Sequence, residues 1–136
     1  GRTDDVINVA GHRLGTREIE ESITSHPNVS EVAVVGVEDK LKGQVAMAFV
    51  ILKNPQGFDS VEAKAALERE VMAVVDRQLG AVARPARVLF VPQLPKTRSG
   101  KLLRRSIQAI CEGRSPGDLT SMDDPASLQQ IQAALV

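Results

Sequence analysis

The chain has 136 residues, of which 43% are hydrophobic and 25% are charged, so it can bury one hydrophobic core and is expected to form one globular domain. Its 17 basic and 17 acidic side chains give a net charge of zero. This argues against a partner that is bound through the overall charge of the protein, so any anion-binding site must be a local cluster of charge. With three Phe and neither Tyr nor Trp, the chain lacks the aromatic side chains on which single-stranded nucleic acids stack their bases.

The N-terminal residues predict a short β-hairpin followed by a helix. The apolar segment Val6 to Ala10 is bracketed by acidic residues and by glycines, which permit the turns. Thr16 is the predicted N-cap, because the glutamates that follow it suit the positive end of a helix dipole. Ile19 and Ile23 share one helix face, and Pro27 ends the helix.

Three segments predict strands. Val29 to Val37 and Gln44 to Leu52 are rich in Val, Ala and Ile, and the polar stretch between them predicts a β-hairpin. The second segment is apolar at nearly every position, which indicates burial on both faces beneath helices. Arg87 to Val91 is the third strand. We therefore predict an α+β fold, with a mainly antiparallel three-stranded sheet covered by helices, plus the short N-terminal β-hairpin.

Three further helices are predicted in the second half of the chain. Asp59 with Glu62 resembles a capping box that opens a long helix, and Gly80 closes it. A second helix runs from Leu102 to Cys111, and a third begins at Asp124-Pro125, with proline at the first helical position. The apolar stripe of the long helix consists of Leu67, Val71, Val74, Val75 and Leu79.

Few side chains are available for metal binding or covalent catalysis. His12, His26 and Cys111 are the only histidines and the only thiol, and they lie far apart in the sequence, so we expect no metal site and no self-contained hydrolase. Cys111 lies in an apolar helical pattern, which predicts that its thiol is buried. A single free thiol also favours a reducing, cytoplasmic compartment. The longest apolar run, Val45 to Leu52, is too short to span a membrane, and no signal peptide is present, so we expect no membrane partner.

The most conspicuous motif is a basic loop, Pro95 to Lys101, which runs into an arginine pair. Five cations fall within eleven residues, and the Pro, Ser and Gly among them disfavour a helix. A phosphate-binding P-loop is excluded, because Pro95 and Leu102 stand where that motif needs a Gly and a Ser or Thr. The cations alone also allow a free-standing module that binds RNA or an acidic partner, although the zero net charge and the missing aromatics weaken the nucleic-acid interpretation.

Two segments of the chain resemble the paired C-terminal signature motifs of the AMP-forming acyl-CoA synthetases, a superfamily that also contains the luciferases. The early motif is met by Gly1-Arg2-Thr3-Asp4, Gly11-His12-Arg13 and Ile19-Glu20. The late motif, Pro-Lys-Thr-x-x-Gly-Lys, is met by Pro95 to Lys101. Other stretches, such as Ile107 to Arg114, resemble the short-chain branch and within it the ligases that act on propionate, with the acetate ligases as the alternative.

The resemblance implies a mobile lid of a larger enzyme. Members of the family convert ATP and an acid to an acyl-adenylate and pyrophosphate, CoA then displaces AMP, and the C-terminal domain rotates between the two steps. Lys101 matches the lysine that serves adenylation, and the other four loop cations are expected to position the loop. The remaining matched positions are Asp4 at the hinge, Arg2 and Arg13 at the phosphate of ATP or AMP, and Gly11 and His12 at CoA.

The resemblance also implies a domain plan and a set of partners. Residues 1–15 would form the hinge and hairpin, residues 16–112 the core, and residues 113–136 a linker and terminal helix. The implied partners are an N-terminal adenylate-forming domain absent from this chain, ATP, CoA, propionate or acetate, and a lysine acetyltransferase and deacetylase acting on Lys101. Mg²⁺ would accompany ATP on the missing domain, and the chain alone is expected to be inactive. Asp76 occupies the position of the arginine that meets the CoA 3′-phosphate, which leaves that contact unassigned, with Arg77 and Arg84 as nearby candidates.

Overall fold

The fold is built on one five-stranded sheet with helices on both faces, seen in a computed structural model that describes residues 6–9, 12–39, 43–58, 60–80, 83–96, 102–113 and 126–135. The strands are β1 (Val6–Val9), β2 (His12–Gly15), β3 (Val29–Asp39), β4 (Gly43–Leu52) and β5 (Arg87–Phe90). The helices are α1 (Thr16–Thr24), α2 (Val61–Leu79), α3 (Arg104–Cys111) and α4 (Ala126–Leu135), and a short 3₁₀ turn covers Pro55–Phe58.

Strand β4 is the centre of the sheet. It pairs antiparallel with β3 along its whole length, from Val29↔Leu52 to Asp39↔Gly43. On its other edge it pairs in parallel with β5 and, at Val9↔Gly43, antiparallel with β1, which continues into the β1–β2 hairpin. The predicted mainly antiparallel sheet with an added N-terminal hairpin is therefore confirmed, and β3 and β4 run slightly further than their apolar segments because the polar residues flanking them also pair.

The alternation of side chains along β4 fills a separate hydrophobic cluster on each face of the sheet. On one face of β4, the side chains of Ala46, Ala48, Val50 and Leu52 are directed towards α1 and α2. On the other face, Phe49 and the partly buried Met47 and Ile51 are directed towards α3 and α4. Phe49 is completely buried, and so are apolar side chains in all four helices. The prediction that this strand is covered on both faces is confirmed. The helical residues in the two clusters are Ile19, Ile23, Leu67, Val71 and Val75 on one face and Ile107 and Ile131 on the other.

Several helix boundaries differ from the predictions by one or two residues. The N-cap of α1 is Gly15, and Thr16 is instead a buried residue of the first turn. The N-cap of α2 is Ser60, whose hydroxyl accepts a hydrogen bond from the Ala63 amide at 3.0 Å. A serine there satisfies one of the amides that a helix start leaves without a partner.

The ends of α2 and α3 give two further corrections. Leu79 is 36% exposed, because the last turn of α2 extends beyond the apolar cluster that buries its earlier residues. Gly80 ends that helix as predicted, with φ of 97°, a conformation that favours glycine. Leu102 lies before α3, in an isolated antiparallel bridge with Lys96, so the helix begins at Arg104.

The outer edge of β3 is covered by carboxylates from two helical segments. Glu20 of α1 accepts a hydrogen bond from the amide of Val34 at 2.9 Å. Glu112, just after α3, accepts one from the amide of Glu38, also at 2.9 Å. Unpaired edge amides invite pairing with another strand, so these bonds both satisfy the backbone and shield the edge.

The edge of β5 is covered in the same way from α2. Glu68 accepts a hydrogen bond from the amide of Val88 at 2.7 Å and forms an ion pair with Arg87 at 3.2 Å.

Within the residues that the structure describes, no helix is both long enough and apolar enough to cross a membrane.

We predict that Gly36→Val lowers the free energy of unfolding by about 1–3 kcal/mol, because overpacking a filled site forces neighbouring atoms apart. A Cβ atom on Gly36 would lie 3.1 Å and 3.2 Å from two carbons of the completely buried Ile7 side chain, which anchors the hairpin. The measurement is urea unfolding of the chain, with Gly57→Ala as the control, since Gly57 is exposed and a Cβ there meets only the Asn54 side chain, at 3.4 Å or more. Additive effects of Gly36→Val and Ile7→Ala in a double-mutant cycle would contradict the contact.

Candidate functional site

The predicted site residues belong to two segments, of which the structure describes only a part. Arg13 is described fully, and His12 is described as part of the β2 backbone. The other predicted site residues lie outside the described residues, namely Arg2, Asp4, Gly11 and Lys101. The structure therefore shows how these two segments are attached to the rest of the domain.

The first segment is the β1–β2 hairpin. Val9 pairs with His12, and Asn8 pairs with Arg13, so only Ala10 and Gly11 connect the two strands. Ile7 is completely buried in the core, and Leu14 packs against the same cluster. Arg13 precedes Leu14 and is exposed, as the alternation of a strand requires. The hairpin thus packs against the core with one face and exposes Arg13 on the other.

The second segment is the basic loop, and the structure describes its stem. Lys96 and Leu102 form the antiparallel bridge, and the amide of Leu103 donates a hydrogen bond to the carbonyl of Pro95 at 3.0 Å. Leu94, directly before the basic loop, is buried, and so is Pro95, the first residue of the loop. The two ends of residues 97–101 are therefore held side by side, and Lys101 is covalently joined to one side of the stem.

A carboxylate from β3 holds the other side of that stem. The ammonium Nζ of Lys96 lies 2.6 Å from Oε1 of Glu31, and the side chains are 31% and 47% exposed. The sequence predicted that Lys96 positions the loop but did not identify Glu31, since 65 residues separate the two and no local pattern links them. Lys96 is thereby engaged inside the domain.

Helix α3 adds positive potential directly after the loop. Its first two residues are Arg104 and Arg105, its first turn contains no acidic residue, and its N-cap Leu103 offers no side-chain hydrogen bond. The amide end of a helix carries a partial positive charge, and arginines at that end add to it. The sequence around Lys101 therefore suits an anionic ligand, such as a phosphate or a carboxylate.

The region around His26 is structural. His26 is buried after α1, its Nδ1 accepts a hydrogen bond from the Asn28 amide at 3.1 Å, and its Nε2 lies 3.6 Å from a Glu70 carboxylate oxygen. The sequence placed His26 at the end of the helix, whereas α1 ends at Thr24 with Ser25 as its C-cap, so His26 lies two residues beyond the helix. Arg77 and Gln78 of α2 line an open groove of about 610 Å³ beside it, and Arg84 is exposed elsewhere.

Cys111 is an unreactive thiol rather than a nucleophile. It is half-buried at the end of α3, less buried than the sequence predicted. Burial, followed by the negative charge of Glu112, raises the pKa of the thiol from 9.0 to about 11. A neutral thiol at physiological pH contributes packing and no chemistry.

The chain was compared with known proteins. The sequence profile of a family described as the AMP-binding enzyme C-terminal domain matches residues 18–101, which include the basic loop. A propionate–CoA ligase of Salmonella typhimurium is 70% identical over 135 residues, which are 99% of this chain and 22% of that protein. An acetyl-coenzyme A synthetase of Pyrobaculum aerophilum is 48% identical over 134 residues, 98% of this chain and 19% of that protein.

The fold is also shared with solved structures. The crystal structure of a Brucella canis acyl-CoA synthetase superimposes with a TM-score of 0.66 at 43% identity, over 75% of this chain and 18% of that chain. The chain thus spans about a fifth of the length of the curated relatives that it matches.

We predict that iodoacetamide alkylates Cys111 at pH 8 at least tenfold more slowly in the folded chain than in urea, because with a pKa of about 11 only about one thiol in a thousand is ionised. The thiol loses its proton at a higher pH in the folded chain than in the unfolded chain. Its ionisation therefore lowers the free energy of unfolding as the pH rises from about 9 to about 11, and it has no such effect below pH 9. Since Cys111 is the single cysteine, mass spectrometry reports its modification directly. Equal rates in the folded and unfolded chain would contradict the assignment.

Proposed function

The chain belongs to the AMP-binding enzyme C-terminal domain family, and we propose that it is the mobile C-terminal domain of a propionate–CoA ligase. The whole enzyme would convert ATP, propionate and CoA to propionyl-CoA, AMP and pyrophosphate through propionyl-AMP. The observation that carries this proposal is the 70% identity to a propionate–CoA ligase over 99% of the chain. Acetate is the second candidate acid, supported by the 48% identity to an acetyl-coenzyme A synthetase. Membership of an enzyme-domain family argues against the free-standing module for RNA or an acidic partner.

The basic loop would serve the first half-reaction. A carboxylate must attack the α-phosphate of ATP, so negative charge accumulates where the two meet, and a cation placed there stabilises the transition state. Lys101 would supply that cation. The bridge between Lys96 and Leu102 supports the role, because it holds both ends of the loop on the folded core.

The β1–β2 hairpin would serve the second half-reaction. Gly11, which lies between the paired residues Val9 and His12, would leave room for the pantetheine arm of CoA, with His12 beside it. Arg13, exposed on β2, would meet the nucleotide phosphate together with Arg2. Asp4 would be the hinge whose backbone torsions change as the domain rotates between the two steps.

The placement of the two segments supports a rotating lid. The hairpin joins the sheet at Gly43, and the basic loop is tied to Glu31, which pairs with Ile51 at the other end of β4. Eight residue steps along β4 separate Gly43 from Ile51, a distance of about 26 Å at about 3.3 Å per residue. Attachment of the two segments at opposite ends of one strand supports a domain that reorients to present first one segment and then the other to a single reaction centre.

The proposal divides the enzyme between this chain and an N-terminal domain. Residues 1–15 would form the hinge and hairpin, residues 16–112 the core, and residues 113–136 a linker and terminal helix. The described residues contain no group of three or more His, Cys, Asp or Glu side chains that could hold a metal. The N-terminal domain would bind the Mg²⁺ that accompanies ATP, and it would also form the acyl pocket. We further propose that the enzyme acts in the cytoplasm and that acetylation of Lys101 by a lysine acetyltransferase, reversed by a deacetylase, silences it by removing the charge.

We predict that the full-length enzyme uses propionate with a kcat/KM at least tenfold above that for acetate, since one methylene group in an apolar pocket is worth about 10–200-fold. The measurement is CoA-thioester formation with each acid at matched enzyme concentration. The isolated 136-residue chain is the control and is expected to form no propionyl-CoA. A preference for acetate would replace the proposed substrate, and activity of the isolated chain would refute the division between two domains.

We predict that Lys101→Ala lowers propionyl-AMP formation by about 10²-fold or more, because a group that stabilises transition-state charge is lost. Pyrophosphate exchange measures that half-reaction, and propionyl-CoA formation from supplied propionyl-AMP should survive. Gly11→Leu is the matched opposite variant, expected to spare pyrophosphate exchange and block CoA capture. Equal loss of both half-reactions in either variant would contradict the assigned roles.

A further inference from the structure

We propose that Glu31 is a positioning residue for adenylation, which acts by holding Lys96 and with it the loop that carries Lys101. The inference rests on the proposed function, because it concerns the half-reaction assigned to Lys101. It adds a residue that lies outside both signature motifs, on a strand that buries Val29, Val32 and Ala33 in the core.

The contact geometry singles out this pair. Lys96 Nζ lies 2.6 Å from Glu31 Oε1, which is the shortest of the ion pairs within the described residues. The Lys96 side chain is 31% exposed, and its ammonium group contacts a carboxylate of β3, so it is directed back onto the sheet. A charge-assisted bond of this length fixes the position of the Lys96 side chain.

Glu31 is held in the sheet by strand pairing. It pairs with Ile51 in the β3–β4 ladder directly after a register shift at Ser30, and Val29 and Val32 on either side of Ser30 and Glu31 are buried. Lys96 begins the basic loop and pairs with Leu102, the residue after Lys101. A displacement of Lys96 is therefore passed across the bridge to the residue bonded to Lys101.

The contact is suited to placement rather than to stability. Both side chains are partly exposed, and ion pairs of this kind contribute little to folding. Catalysis is more sensitive, because a displacement of about 1 Å at a reacting group can cost about a hundredfold in rate. Loss of the pair should consequently weaken one half-reaction while the domain stays folded.

The test uses the full-length enzyme carrying Glu31→Gln, Lys96→Met or the charge swap Glu31→Lys with Lys96→Glu. Each single variant is expected to lower the kcat of pyrophosphate exchange by about tenfold or more, with propionyl-CoA formation from supplied propionyl-AMP changed less than about twofold. The swap should restore most of the lost exchange activity, because the opposite charges can again meet. Thermal unfolding midpoints should remain close to that of the unchanged enzyme.

Arg87→Met is the matched control, since it removes the ion pair with Glu68 at 3.2 Å and is expected to leave both half-reactions unchanged. The inference is overturned if the single variants leave exchange intact, if both half-reactions fall equally, or if the swap restores nothing. Lys101→Ala in the same assays separates the positioning role from the role proposed for Lys101. If that variant loses exchange selectively and the Glu31 and Lys96 variants do not, only the positioning role fails, whereas normal exchange by Lys101→Ala would refute the adenylation role on which the inference rests.

Discussion

The structure depends on the burial of β4 on both faces and the pairing of both its edges. Ala48, Phe49 and Val50 are completely buried, and they alternate between the two hydrophobic clusters. A strand in this position can move only if both clusters and both ladders are disrupted, so it acts as the fixed reference of the domain. The β1–β2 hairpin and the basic loop are both attached to this reference, the first through Gly43 and the second through β3 and β5.

The helices stabilise this sheet with polar contacts as well as with apolar packing. Glu20, Glu68 and Glu112 each extend a carboxylate to an amide at an outer strand edge. Bonds from an amide to an ionised acceptor are stronger than neutral ones, and here they replace a neighbouring strand. Edges closed in this way are protected from pairing with a strand of another chain.

The features predicted correctly from the sequence are those that local patterns determine. The continuous apolar run of β4 predicted burial on both faces, and the apolar stripe of α2 predicted which side of that helix is buried. Both predictions depend only on how apolar residues repeat along a single strand or helix. The cap of α2 was predicted one residue early, since Asp59 and Ser60 are both good caps and only the backbone decides between them. The Glu31–Lys96 pair could not be predicted, because its two residues meet only through the arrangement of the sheet.

The candidate site follows the same division between local motif and tertiary placement. A motif can specify that a lysine ends a basic loop, but it cannot specify where that lysine stands. In this fold the stem of the loop is anchored by three contacts, the Lys96–Leu102 bridge, the Leu103–Pro95 hydrogen bond and the Glu31 carboxylate. The two backbone contacts hold the ends of the loop together, and the ion pair fixes the Lys96 side chain on β3. An ion pair that is this exposed contributes little to folding, so its main physical consequence is the position of the stem rather than the stability of the domain.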